Sequence, residues 1–329
     1  MTDVLILGGT GWLSGRIAQR WLLSGAAVTC LARGERPAPD GATLAIGNRD
    51  DPGAYDVVSR TDWDHVVDIS SRAEHVRGAV DALWERASRW TYVSSMSVYA
   101  DDMTIDADET APLVAAAASR DDDYGAQKVA AENTVRELRD DRTLIVRPGL
   151  IVGDGDPSDR FGYWAAAFLR AHDESVLVPV TSGREVQVID ADDLAQFVVT
   201  TTATGVVNAI GDRHPFADVL SLFRARARHD GEVVEADDDW LVAHGVDYWM
   251  GERSLPLWLP ADMPGFMCRS NDRYREAGGE LRPLADTVAS VIADEDERGV
   301  DRPRRAGLTR DDELALLRLL GPHGRRDVI

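Results

Sequence analysis

The sequence predicts an α/β protein built on a doubly wound parallel sheet, with a smaller, mixed C-terminal lobe. Three observations carry that expectation. An apolar strand at the N-terminus runs straight into a glycine-rich turn and an amphipathic helix. Strand-length apolar runs then alternate with helical patterns through about residue 150, which means parallel strands covered on both faces. At 329 residues, 44% hydrophobic and 28% charged, the chain is globular and long enough to bury a large core. Together these describe a Rossmann-type sheet.

Residues 3–8 form the first strand, and Gly9-Thr10-Gly11-Trp12-Leu13-Ser14-Gly15 turns into a helix through about Ser24. Such a turn lets backbone N–H groups approach a pyrophosphate at the positive end of the helix. Gly8, Thr10, Gly11, Trp12 and Leu13 are therefore cofactor candidates. The second strand, residues 27–32, ends at Arg33-Gly34-Glu35-Arg36. An acid there would hold a ribose 2′-hydroxyl, whereas arginine suits a 2′-phosphate. Arg33, with Arg36 as a second cation, thus points to NADP(H), with NAD possible. The third strand, 43–46, runs into Gly47-Asn48-Arg49-Asp50; a helix is expected from about 52 to 60. Strand four, 65–69, ends in Ser70-Ser71, and a long helix spans roughly 74–88. Strand five, 90–93, leads into Ser94-Ser95-Met96-Ser97-Val98-Tyr99.

An acidic, alanine-rich segment, 101–123, separates that strand from the next helix, about 124–139. Asp121, Asp122 and Asp123 suit the helix N-terminus, where negative charge favours the dipole. The helix opens on Tyr124-Gly125-Ala126-Gln127-Lys128. Of 36 basic residues, 35 are arginine and Lys128 is the single lysine. Four residues apart on a helix, phenol and ammonium share one face. A nearby cation favours the ionised phenol, and a compact ammonium reaches oxygens that a planar guanidinium cannot. An ordinary exposed Tyr/Lys pair has the same spacing. Strand six, 143–146, runs into Arg147-Pro148-Gly149-Leu150-Ile151-Val152-Gly153. Further on, helices are expected at 161–171, 190–201 and 310–320, and strands at 176–178, 185–189 and 205–210.

Gly8-Gly9-Thr10-Gly11-Trp12-Leu13, Ser94 to Tyr99, Tyr124 to Lys128 and Arg147 to Gly153 resemble, in order and spacing, the extended short-chain dehydrogenase/reductases. That group includes the NAD-dependent epimerase/dehydratases. The resemblance implies a triad of Ser95, Tyr124 and Lys128, with Ser95 chosen because the hydroxyl residue stands four before Tyr99. Ser94 and Ser97 are the neighbouring alternatives. It also implies cofactor contacts at Asn48, Arg49, Ser70, Ser71, Pro148 and Ile151, and substrate contacts at Met96, Ser97 and Trp164. Two departures stand out: Ser14 replaces a third glycine, and Asn48 replaces a usual aspartate at the adenine. Residues 1–153 and 184–212 would form the nucleotide domain; 154–183 and 213–329 would form the substrate lobe.

The implied activity is reduction of a small-molecule carbonyl by NADPH, or the reverse. Tyr124 would act as acid/base, Lys128 would lower its pKa and hold the nicotinamide ribose, and Ser95 would orient the substrate oxygen. One alternative is a nucleotide-sugar epimerase or dehydratase using bound NAD(P). Met96-Ser97 stand where a 4,6-dehydratase would want Asp-Glu, and Leu150 where UDP-sugar enzymes usually carry Asn. The other alternative is a cofactor-sensing or RNA-binding relative. The net charge of −21 should repel nucleic acid and anionic membranes. Cys30 and Cys268 offer no metal spacing, the seven histidines are scattered, and no metal is expected. No signal-peptide pattern or 18-residue apolar run appears, so a cytoplasmic location is expected. The resemblance also allows a homodimer through the helices near 74–88 and 122–139.

Overall fold

In a computed structural model of the protein, which describes residues 1–138 and 140–321, the chain opens with β1 (Asp3–Leu7). Four of its five residues are buried, as a central parallel strand requires. In chain order there follow α1 (Trp12–Leu23), β2 (Ala27–Ala32), β3 (Thr43–Ile46), β4 (His65–Asp68) and α2 (Ala73–Leu83). Next come β5 (Trp90–Val93), α3 (Tyr124–Arg136), β6 (Thr143–Pro148), β7 (Leu150–Val152) and α4 (Arg160–Ala171). Then come β8 (Val176–Pro179), β9 (Glu185–Asp190), α5 (Ala191–Thr200), β10 (Gly205–Ala209), β11 (Arg213–Pro215) and α6 (Phe216–Ala227). The last are β12 (Val233–Ala236), α7 (Asp238–Ala243), α8 (Asp272–Glu276), α9 (Leu284–Arg298) and α10 (Arg310–Leu320).

Seven strands form one parallel sheet in the order β10-β6-β5-β4-β1-β2-β3. The order reverses between β1 and β4, and the C-terminal strand ends on either side of that point are where this fold binds ligands. One face carries Ile6, Ile17, Val28, Leu194 and Phe197; the other carries Leu5, Val66, Leu83, Trp90 and Val135. The chain divides into two units, the first being Met1–Ile151, Val188–Gly211 and Arg269–Leu281.

That division differs from the expected one at residues 269–281, which belong to the nucleotide unit. Tyr274 explains the return: it is fully buried and packs on Phe197 with ring centroids 4.6 Å apart. Asn271 also donates to the Gly211 carbonyl at 3.1 Å. Residues 52–60 form a run of turns rather than a helix, since Gly53 sits at φ +75° just after Pro52. The helix expected at 74–88 ends at Leu83 and tightens into a 3-10 turn, Trp84–Arg86. For the helix expected over 124–139, the last position lies outside the described residues.

In the second unit β8 pairs with β12 in parallel, and β9 with β11 antiparallel. Its core gathers the α4 aromatics: Phe161 against Phe223 and Trp164 against Phe216. Glu313 of α10 is fully buried, accepting from Arg310, Arg170 and the Leu177 amide. No helix among the described residues is long and apolar enough to cross a membrane.

Candidate active site

The β1–α1 turn is built by close approach. Gly8 takes φ +86°, and a Cβ on Gly9 would stand 2.5 Å from the Cys30 sulfur on β2. Ser14, at the third-glycine position, is 4% exposed and ties the turn together. Its hydroxyl donates to the Gly8 carbonyl at 2.7 Å and accepts from the Gly11 amide at 2.9 Å. The departure from glycine is thus absorbed by a hydroxyl that braces the loop. Helix α1 has Gly11 as its N-cap residue, which brings no side chain to the helix end, and no acid in its first turn. The N–H groups beyond Gly11 keep the positive end suited to a pyrophosphate.

The other strand ends complete the rim. Arg33 is exposed and bonded to Glu35 at 3.0 Å; Arg36 is exposed beyond it. The Asn48 side-chain oxygen accepts from the Asp50 amide at 3.3 Å. Arg49 turns inward instead of toward the rim. It grips Asp68 with two bonds of 2.8 and 2.6 Å and also donates to Tyr55 Oη and the His75 carbonyl. Four of its five donors are used inside the protein, so a cofactor contact there is not what its placement favours. Burial alone would lower its pKa, but the Asp68 charge overrides this and the net direction is up. Ser71 is exposed, Pro148 closes β6, and Ile151 is half-buried.

After β5 the two adjacent serines diverge. Ser94 is buried and donates to Glu132 at 2.6 Å. Ser95 is half-buried; its hydroxyl accepts from the Ser97 amide and donates to the Ser97 hydroxyl, both at 3.1 Å. Met96, 7% exposed, packs with Val98, Tyr99, Val129 and Ile210, so its side chain is core rather than rim. Ser97 is exposed. Trp164 lies in the second unit, fully buried, with its indole N–H on the Pro256 carbonyl at 2.9 Å. That is a core position with no surface left for a substrate.

Tyr124 is the first residue of α3 and 50% exposed. Asp123 caps the helix by accepting from the Ala126 amide at 2.9 Å. Gly125 lets the helix land on the Ser95–Ser97 turn, because any Cβ there would overlap the Ser97 carbonyl oxygen. Lys128, one turn on, is 2% exposed. Its ammonium donates to the Val93 carbonyl at 2.7 Å and the Ser70 carbonyl at 2.9 Å, joining the ends of β5 and β4. It lies 4.8 Å from the Tyr92 ring centre and 5.8 Å from that of Tyr124. Burial pushes its pKa down to about 7, against the pull of Asp68 and Glu132.

Sequence reasoning missed the acids beneath this lysine. Glu132 is fully buried and held by Arg147 through bonds of 2.9 and 2.7 Å, with Arg136 at 2.7 Å. Burial would raise its pKa, but these partners take it below the usual carboxylate range. Arg147 also donates to Tyr99 Oη at 2.8 Å. The signal was available: Glu132 stands four after Lys128, and Asp68 follows the apolar pair Val66-Val67 at the end of its strand. Among the described residues one group has metal-ligand proximity, Asp50, Glu74 and His75 within 4.8 Å. Arg120 and Arg72 pair both carboxylates, and no metal role is assigned.

The family model for the NAD dependent epimerase/dehydratase family matches residues 4–210. The chain belongs to that family. Comparison with curated protein sequences returned no significant match. Solved structures share the fold. A Burkholderia cenocepacia J2315 protein is 20% identical with a TM-score of 0.68, over 89% of this chain and 97% of that one. The Bordetella bronchiseptica enzyme WbmG in complex with NAD and UDP is 15% identical, TM-score 0.66, over 93% and 97%. The Thermus thermophilus UDP-glucose 4-epimerase in complex with NAD is 16% identical, TM-score 0.63, over 89% and 98%.

Proposed function

We propose that this family member is an NADP(H)-dependent oxidoreductase acting on a carbonyl or alcohol of a small molecule through Ser95, Tyr124 and Lys128. One observation carries the reading: the chain's only lysine is buried one turn from Tyr124, with its ammonium between two strand-end carbonyls. Burying an ammonium is costly, and a packing role would be met by an apolar side chain. The α1 N-terminus, with no acid in its first turn, and the glycine turn fit a dinucleotide pyrophosphate. A bound nicotinamide would supply or accept the hydride. Tyr124 would give or take the alcohol proton at its phenol oxygen, and cationic Lys128 would favour the phenolate. Two of the ammonium's three donors are committed to Ser70 and Val93, which leaves one for the cofactor ribose. Ser95 would hold the substrate oxygen through its hydroxyl.

Cofactor choice rests on Arg33. Its exposed pair with Glu35 is weak enough for a 2′-phosphate to displace. Charge-assisted bonds of about 1.5–3 kcal/mol give roughly 10- to 100-fold preference for NADP(H). Paired titrations with NADPH and NADH test this, and Arg33→Asp should reverse the order. Equal affinities, or tighter NADH, would remove the case for net reduction. They would favour the alternative reading, epimerisation of a nucleotide sugar by internal redox; the Thermus protein is named a UDP-glucose 4-epimerase. Turnover is read by screening carbonyl substrates at the NADPH absorbance. Lys128→Arg should lose at least ~10²-fold there, because a guanidinium cannot take the ammonium's place between the two carbonyls.

A further inference from the structure

Asp68 is an unexpected residue for its place. It ends β4, is fully buried, and sits where the other strand residues are apolar or paired within the sheet. A carboxylate there is costly unless its lone pairs are filled. They are. Oδ1 accepts from Arg49 at 2.8 Å and from the Ser70 amide at 2.9 Å, and Oδ2 accepts from Arg49 at 2.6 Å. The bond to the Ser70 amide bends the chain as it leaves β4. The Ser70 carbonyl then receives both the Lys128 ammonium at 2.9 Å and the Tyr92 hydroxyl at 3.0 Å. A polar chain therefore runs Arg49–Asp68–Ser70–Lys128, entirely within the nucleotide unit.

Building on the proposed triad, we propose that Asp68 is a positioning residue for Lys128: its carboxylate fixes the Ser70 carbonyl that receives the ammonium, and its buried charge at the other end of that short chain favours the cation. Among the described residues, five titratable groups act on or face Lys128. Arg49 comes from the loop after β3, Asp68 from β4, Tyr92 from β5, and Tyr124 and Glu132 from α3 itself. Of the two acids, Glu132 is already shared between Arg147 and Arg136, with Ser94 donating as well. Asp68 has one arginine, and its charge is the stronger support for the ammonium; Arg49 opposes it. The two members of the Arg49–Asp68 pair thus act on Lys128 with opposite sign. A purely structural role for the pair would give both removals the same effect.

Because Lys128 is the only lysine, labelling the protein with ε-13C-lysine gives a single reporter whose midpoint is read by NMR without cofactor or substrate. Asp68→Asn should lower that midpoint by roughly one pH unit, and Arg49→Gln should raise it. The neutral double variant, Asp68→Asn with Arg49→Gln, avoids an uncompensated buried charge and should still lower the midpoint, because the acid is the stronger influence. It decides the matter if either single variant fails to fold. An unchanged midpoint in the double variant, or shifts of the same sign in both singles, would overturn the assignment whatever the enzyme does. On turnover, Asp68→Asn should bring the alkaline loss of activity to lower pH in step with the NMR midpoint. A moved midpoint with an unmoved rate profile would leave Asp68 supporting Lys128 and would overturn the catalytic role of the lysine instead.

Discussion

Ser94 and Ser95 are neighbours with different surroundings, and the difference is what sequence could not display. Position four before Tyr99 pointed to Ser95, and the fold gives a reason to prefer it, since the Ser94 hydroxyl is spent on buried Glu132. Ser95 and Ser97, however, share a hydrogen bond, so each variant disturbs the other. Ser95→Ala removes the oxygen proposed to hold the substrate and also the cap of the turn Met96–Val98. It should cut turnover by ~10²-fold while leaving NADPH affinity nearly unchanged. Ser97→Ala keeps the cap and should lose less than about 5-fold. Steady-state rates with cofactor titrations separate the two, and equal losses would show that the loop, not one hydroxyl, carries the effect. The proposed triad could be picked out as a candidate because its residue types and spacing are local. Asp68, Gly125 and Arg147 were not, because their meaning lies in what the fold brings opposite them: a backbone carbonyl, a buried arginine, a second acid.

At the scale of elements, the seven strands of the parallel sheet were legible to within one or two residues because their apolar runs are bounded by glycine and polar residues, whereas the short strands β7, β11 and β12 were not expected. Residues 52–60 misled because their apolar residues have helical spacing, while Gly53 and the preceding Asp50-Asp51 favour turns. The return of residues 269–281 was invisible for another reason: Tyr274 buries against Phe197, a contact far apart in sequence. The β4–β5 pairing carries a prediction of its own. His65 is buried, bonded to Thr91 at 2.8 Å and set edge-on to Trp21. Burial holds its pKa down to about 3, while the unfolded chain protonates near the ordinary histidine value of about 6.5. Between those values the unfolded state binds the extra proton, so stability is lost as pH falls from about 6.5 to 3. The loss is on the order of 5 kcal/mol if the full interval is spanned. A His65→Leu, Thr91→Val double variant removes the group and its partner together and should flatten that limb in urea unfolding followed from about pH 7 to 4. An acid limb as steep as in the wild type would assign the loss to other groups.

For the molecule as a whole the dominant quantity is charge. Formal net charge is −21, and much of the arginine is committed to carboxylates: Arg49 to Asp68, Arg147 to Glu132, Arg302 and Arg304 to Glu295. Affinity for a polyanion comes largely from counterions released when cations neutralise phosphates, and cations already paired inside a protein release few. Arg33 and Arg36 lie exposed after β2, Arg33 on Glu35 at 3.0 Å, and under the proposed function they and the α1 N-terminus would receive one dinucleotide. The protein should therefore show no retention on single-stranded RNA or duplex DNA at physiological salt. Lowering the salt should change this little, because the long-range field is repulsive and grows as screening falls. NADPH should still bind under the same conditions, since its phosphates would meet only these local groups. Fluorescence anisotropy with a labelled RNA, run beside an NADPH titration on the same sample, separates the long-range charge from the local one. Saturable, salt-sensitive RNA binding in the submicromolar range that NADPH displaces would show that these groups serve a polyanion, and the oxidoreductase reading would give way to an RNA-binding one.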